Sequence, residues 1–183
     1  MAGEFRSLGE HEAYRGSLIT VAQARFAAPD GSEFERDVVH HPGAVSVVPV
    51  VAGGSVLLVR QFRAAIGREL LEIPAGKRDV DGEPPAETAR RELIEEVGKR
   101  AGRLEKLAEF YNSPGFCDEH SYVFVALDLD DAPADAQGIE EQHMTVEEVA
   151  LDDVPRLVAT AEITDAKTII GLTLAIEWLR RAT

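Results

Sequence analysis

The sequence predicts an α/β chain of the α+β kind: a mixed β-sheet between helical layers, preceded by an N-terminal antiparallel strand region. Three observations carry this. Short β-branched runs broken by turn signals fill the first sixty residues, and two patterns of helical period occupy residues 84–98 and 165–181. Further apolar strands stand between those helices, the interleaving that puts a sheet between helical layers. At 183 residues the chain fits one domain, or one domain with a small appendage. The division expected is residues 1–42 as the N-terminal β region and 43–183 as the main domain, with no internal repeat.

Residues 18–25 and 34–40 read as strands joined by Pro29-Asp30-Gly31, where proline presets φ and glycine accepts a positive φ. Residues 45–51 and 55–62 flank Ala52-Gly53-Gly54 as a second hairpin, and their dense Val and Leu predict strands covered on both faces. Pro49 predicts that the first of these lies at a sheet edge or carries a bulge. Leu71 to Gly76 is a strand end running into a loop. The helix that follows has Pro84-Pro85 at its start, an apolar stripe of Ala86, Ala89, Leu93 and Val97, and Gly98 at its end. Residues 104–111 and 122–127 are strands around the loop 112–116, and 128–141 is a long acidic loop. Residues 144–151 close the sheet. A short helix over 155–161 and a longer one over 165–181 finish the chain, the latter burying Ile169, Leu172, Ile176 and Leu179.

Nineteen Lys and Arg stand against 33 Asp and Glu, a net charge of −14. Such a surface repels nucleic-acid phosphates and anionic membranes alike, so neither is an expected partner. One cysteine, Cys117, excludes an intrachain disulfide and suits a reducing compartment. No export signal or apolar spanning run is visible, since Gly43 to Val59 is broken by Ser46, Pro49, Gly53 and Gly54. A cytoplasmic location is expected. His11, His40, His41, His120 and His143 lack metal-ligand spacing.

The chemistry is concentrated in Gly76 to Gly98. Glu92, Glu95 and Glu96 fall within an arc of roughly 100° on a helix at ~100° per residue. Bare carboxylates so spaced repel one another; a hard divalent cation reverses that sign. Arg91, adjacent, can pair with one of them.

Gly76, Glu83, Arg91-Glu92-Leu93, Glu95-Glu96 and Gly98 resemble the Nudix box, the signature G-x5-E-x7-R-E-U-x-E-E-x-G-U of Nudix hydrolases, with U a bulky aliphatic residue. Two departures stand: six residues separate Gly76 from Glu83, and Lys99 occupies the last aliphatic position. Arg60-Gln61-Phe62-Arg63, Glu69 to Gly76, and Ser113-Pro114-Gly115, with Pro114 sixteen residues beyond Gly98, resemble the ADP-ribose pyrophosphatase group of that family.

The resemblance implies a Nudix-like α/β/α sandwich over 43–183. It implies metal held by Glu92, Glu96 and the Ala75 carbonyl, with Glu95 binding a further ion or pairing with Arg91. Mg²⁺ is the implied cofactor, with Mn²⁺ as a substitute. Arg60 and Arg63 would hold the diphosphate, and Glu72 would orient substrate or a metal-bound water. Pro114 and Gly115 would shape the pocket around the distal ribose, with Glu119 accepting a ribose hydroxyl. Glu141, with Glu140 as the alternative, would act on the attacking water. The resemblance further implies a homodimer whose N-terminal strands help bind the partner's adenine, with Tyr14, Phe26 or Phe34 stacking on the base. The implied reaction is hydrolysis of ADP-ribose, a nucleotide sugar, to AMP and ribose 5-phosphate. The alternatives are another nucleoside diphosphate sugar or dinucleotide as substrate, or a non-catalytic nucleotide sensor.

Overall fold

The structure is a computed structural model describing residues 3–133 and 139–182. The chain divides into two units, one of residues 1–43 with 111–120 and one of 44–110 with 121–183. The first holds a three-stranded antiparallel sheet of β1 (Arg6–Arg15), β2 (Thr20–Ala27) and β3 (Glu33–His40), with β2 in the middle. Phe26 and Phe34 face each other across the β2–β3 hairpin and stack, and Asp30 closes the turn by accepting from the Ser32 amide. Residues 112–119 join β3 through a parallel bridge between Val39 and Cys117. Strand β1 was not legible in the sequence. Every one of its residues is exposed, so no apolar alternation marks it, and pairing with β2 through two irregular steps specifies it instead.

The second unit is built on a seven-stranded mixed sheet. Its strands are β4 (Ala44–Val51), β5 (Ser55–Arg63), β6 (Arg68–Glu72), β7 (Ala75–Lys77), β8 (Lys99–Tyr111), β9 (His120–Asp131) and β10 (Thr145–Ala150), in the order β10-β5-β4-β9-β8, with β6 beside β5 and β7 beside β4. The helices are α1 (Pro85–Val97), α2 (Ile139–Gln142), α3 (Val154–Ala159) and α4 (Ala166–Ala182). Alternation along β4 decides which helix covers which face. Val45 and Val47 pack with Ala89 and Leu93 of α1, while Val48 packs with Leu172 and Ala175 of α4 and Leu157 of α3. Among the described residues no helix is long and apolar enough to cross a membrane.

Three expectations are corrected. Strand β4 is not an edge strand, because β9 pairs with it on one side and β5 and β7 on the other. Pro49 is tolerated because β7 stops at Ser46 and β5 resumes only at Val50, and the Val47 amide turns instead to the Pro74 carbonyl (2.9 Å). Pro49's missing N–H falls on the same interrupted side, two residues on. The Ala75-Gly76 segment, read as loop, is strand β7. The acidic stretch 128–141 is not one loop either: β9 runs on to Asp131 and Glu141 lies in α2, while 134–138 fall outside the described residues.

Candidate active site

Helix α1 starts at Pro85, whose absent N–H costs nothing in a first turn, and stops at Gly98 in a left-handed conformation (φ 66°, ψ 33°). Its buried positions are Thr88, Ala89, Glu92, Leu93 and Glu96, so two carboxylates share the inward stripe with apolar residues. Glu92 is 8% exposed and Glu96 7%. Glu96 accepts a hydrogen bond from the Ala75 amide (2.9 Å). Arg91 lies beside this pair: its Nη1 is 2.9 Å from Glu92 and 2.9 Å from Glu95, and its Nη2 is 3.6 Å from Glu83. The extra residue between Gly76 and Glu83 therefore leaves Glu83 within reach of Arg91.

At Gly76 the β7 backbone lies directly against the Glu92 side chain of α1. A Cβ there would stand 1.8 Å from the Glu92 carboxyl carbon, so only glycine lets that carboxylate lie against β7. The backbone of Ala75 and Gly76 and the side chains of Glu92 and Glu96 thus form one corner. Burial, reinforced by the charge of Glu141 on both, of Glu95 on Glu92 and of Glu92 on Glu96, raises the carboxyls of Glu92 and Glu96 to about 7 and about 8.

Two buried carboxylates resisting ionisation against the β7 backbone are donors of the kind a hard divalent cation selects, and the residues fit such an ion. Among the described residues, however, no three acidic, histidine or cysteine side chains are already gathered as ligands. Glu92 and Glu95 lean on Arg91, and Glu96 leans on the Ala75 amide.

The raised pKa values predict a pH dependence of fixed sign. Between the ordinary carboxylate value of 4.5 and about 8, the folded chain holds protons that the unfolded chain has released. Stability without metal must therefore fall as pH rises through that window. A cation that binds the ionised carboxylates restores it, so the rise in melting temperature on adding Mg²⁺ should grow from pH 5.5 to pH 8. Thermal unfolding with and without the ion measures this, and a metal-induced shift equal at both pH values would refute it.

A second cluster adjoins the corner. Glu72 is fully buried and accepts from Arg63 through both Nε (2.8 Å) and Nη2 (2.6 Å), and from Lys167. Burial would push its carboxyl up, but the two cations outweigh it and hold it below the usual range. Glu72 has no exposed surface, and it clamps Arg63. Arg60 and Arg63, both expected at the diphosphate, are set apart by the strand. Three residues apart on a strand, they face opposite sides of the sheet. Arg60 shares the face of Val56 and Leu58, which α3 and α4 cover, and is held there by Glu147 (2.5 Å) on β10. Arg63 shares the other face and lies near enough to Glu96 to lower its carboxyl slightly.

Glu141 on α2 is half-buried and within electrostatic range of both Glu92 and Glu96. The side chain of Glu140 lies outside what the structure describes. The second unit therefore brings together Arg63, Glu72, Ala75, Arg91, Glu92, Glu95, Glu96 and Glu141. Pro114, Gly115 and Glu119 belong to the first unit. There Pro114 and Gly115 line a cleft of about 330 Å³ with Phe26, Arg36 and Tyr111, and the Glu119 carbonyl accepts from the Asn112 amide.

Sequence reasoning missed Asp165, Lys167 and Thr168. Asp165 accepts from the Thr168 amide (2.9 Å) and hydroxyl (2.6 Å), and Thr168 accepts from the Ile73 amide (3.0 Å). The Asp-x-x-Thr spacing at a helix start was the available signal. Gln61 was also passed over: it is 5% exposed, its Nε2 has no hydrogen-bond partner among the described residues, and it shares the strand face of Arg63.

A mixed sheet between helical layers, with a glutamate helix meeting a Pro-Ala-Gly corner, defines a Nudix-type fold and site. The NUDIX domain family model matches residues 40–170, and the chain belongs to that family. It is 39% identical over 165 residues to an ADP-ribose pyrophosphatase of Bacillus subtilis (strain 168), covering 90% of this chain and 89% of that protein. It is 34% identical to an ADP-ribose pyrophosphatase of Mycobacterium tuberculosis (strain ATCC 25618 / H37Rv), covering 92% and 82%. A methanol dehydrogenase activator of Bacillus methanolicus is 32% identical, covering 92% and 91%. Among solved structures, one titled as the crystal structure of an ADP compounds hydrolase superposes with a TM-score of 0.87 at 24% identity. That match covers all of this chain and 97% of the other, and it supports the fold.

Proposed function

We propose that this protein hydrolyses the diphosphate linkage of ADP-ribose to AMP and ribose 5-phosphate, using Mg²⁺ or, in its place, Mn²⁺. The observation that carries the reading is the buried Glu92–Glu96 pair against the Ala75–Gly76 corner, in a chain whose relatives include proteins named ADP-ribose pyrophosphatase. Glu92, Glu96 and the Ala75 carbonyl would hold the cation, and Glu95 would either bind a further one or stay with Arg91, which orients both Glu92 and Glu95. When bound, the ion neutralises diphosphate charge and makes a coordinated water more acidic. Arg63, clamped by Glu72, binds the diphosphate through charge-assisted hydrogen bonds. Glu141 takes the proton of the water that attacks phosphorus, and the phosphoanhydride P–O bond breaks. Arg60, on the other strand face and paired with Glu147, is less suited to this step than Arg63.

Pro114, Gly115 and Glu119 serve the distal part of the substrate in this reading. Of Tyr14, Phe26 and Phe34, Phe26 is best suited to stack on a base, because it lines the first unit's cleft. Residues 1–42 form the dimerisation region of a homodimer; the ten exposed residues of edge strand β1 support this. The lone Cys117 suits a cytoplasmic setting.

Incubation with ADP-ribose and other nucleoside diphosphate sugars, with and without Mg²⁺, tests the reading by separation of products. AMP and ribose 5-phosphate formed only with metal is the expected result. Preference for another sugar nucleotide would displace the substrate, and no turnover of any would favour a sensor. Glu141→Gln should lower kcat by roughly 10²–10⁴-fold, the usual worth of a general base. Its metal affinity, read by isothermal titration, should change little. Normal turnover in that variant would move the base elsewhere.

A further inference from the structure

We infer that Lys167, at the start of α4, is a positioning residue that keeps Arg63 available to a substrate diphosphate by sharing the buried charge of Glu72. The inference rests on the diphosphate hydrolysis proposed above. Glu72 is wholly buried, and its carboxylate is contacted by two cations, Arg63 from β5 and Lys167 from α4. Lys167 is itself only 14% exposed and lies 3.0 Å from Asp165. The four groups sum to zero charge: Arg63 and Lys167 against Glu72 and Asp165.

Removing Lys167 leaves this group at −1 in a poorly solvated place. Arg63 alone must then answer Glu72, with its Nε and Nη2 already directed there (2.8 and 2.6 Å). A guanidinium held by an unshared buried carboxylate presents little net field to an anion, and the surplus negative charge repels a diphosphate outright. The same helix start is tied to the corner through Thr168, which accepts from the Ile73 amide two residues before Ala75. Lys167 and Thr168 thus divide the work. Thr168 fixes backbone, and Lys167 fixes charge.

The test is steady-state kinetics on ADP-ribose with wild type, Lys167→Met, Lys167→Arg and the double variant Glu72→Gln/Lys167→Met. Lys167→Met should raise KM about tenfold while kcat changes less than about threefold, the split expected when binding is lost and the reacting groups remain. Lys167→Arg, which keeps the charge, should stay within about threefold of wild type in KM. The double variant returns the group to zero charge, and its glutamine oxygen still accepts from Arg63; it should regain most of the lost affinity. A residue needed only for packing would show no such recovery.

An unchanged KM in Lys167→Met, or a double variant as weak as the single one, overturns the inference while leaving the hydrolase reading intact. A wild-type protein that turns over no nucleotide sugar removes both. Should Lys167→Met fail to fold, Lys167→Arg and the double variant carry the comparison. A folded double variant more than about tenfold above wild type in KM then refutes the role.

Discussion

Glu96→Gln should abolish most activity without harming the fold. The glutamine amide oxygen can still accept the Ala75 N–H that Glu96 accepts at 2.9 Å, so the corner keeps its hydrogen bond. What is lost is a negative charge that burial already opposes, since the Glu96 carboxyl is raised to about 8. Metal-free Glu96→Gln should therefore be at least as stable as wild type at pH 8, because a neutral group replaces one that ionises unfavourably there. The metal-induced rise in melting temperature should largely disappear, and kcat/KM should fall by roughly 10³-fold, about 4 kcal/mol of transition-state stabilisation. Kinetics and unfolding on the same preparation separate these effects. A variant that keeps both its turnover and its metal-induced shift would remove Glu96 from the metal site.

Gly76→Ala should be nearly as damaging by a steric route. The added methyl would lie 1.8 Å from the carboxyl carbon of Glu92 and 2.0 Å from its Oε1, far inside contact distance. Gly76 is not among the glycines with positive φ, so the backbone tolerates alanine and the whole cost falls on the side chain it meets. Either Glu92 swings out of the corner or β7 moves off β4. Overpacking of this kind costs about 1–3 kcal/mol of stability, and loss of one ligand should reduce kcat/KM by roughly 10²–10³-fold. Restoring space with Gly76→Ala/Glu92→Asp should recover stability but little activity, because the shorter carboxylate reaches less far. Denaturant titration and kinetics check both halves. Wild-type activity in Gly76→Ala would mean that Glu92 is not needed where the structure has it.

Helix α1 was legible because local signals agreed: prolines at its start, glycine at its end, and an apolar stripe between. Strands β4 and β5 were legible from continuous Val and Leu. Strand β1 was not, because an exposed edge strand has no burial to impose a pattern on its residues. The β7 corner was hidden for a different reason: three residues are too few for a period, and what makes them a strand is pairing with β4 across 29 to 33 residues of sequence. Arg60 shows what a motif leaves open. It stands three residues from Arg63, and only the parity of a strand, once its register is known, sends the two to opposite faces.

From its sequence alone this protein was determined to carry a glutamate helix suited to a divalent cation, and to be of the Nudix kind, since spacing along one helix is a local property. Tertiary structure decided which of those glutamates are buried and which lean on Arg91. It also made Glu72 a clamp for Arg63, and it brought Lys167, 95 residues further on, to the same carboxylate. Burial and long-range pairing set a charge's energy, and neither is written in the order of neighbouring residues.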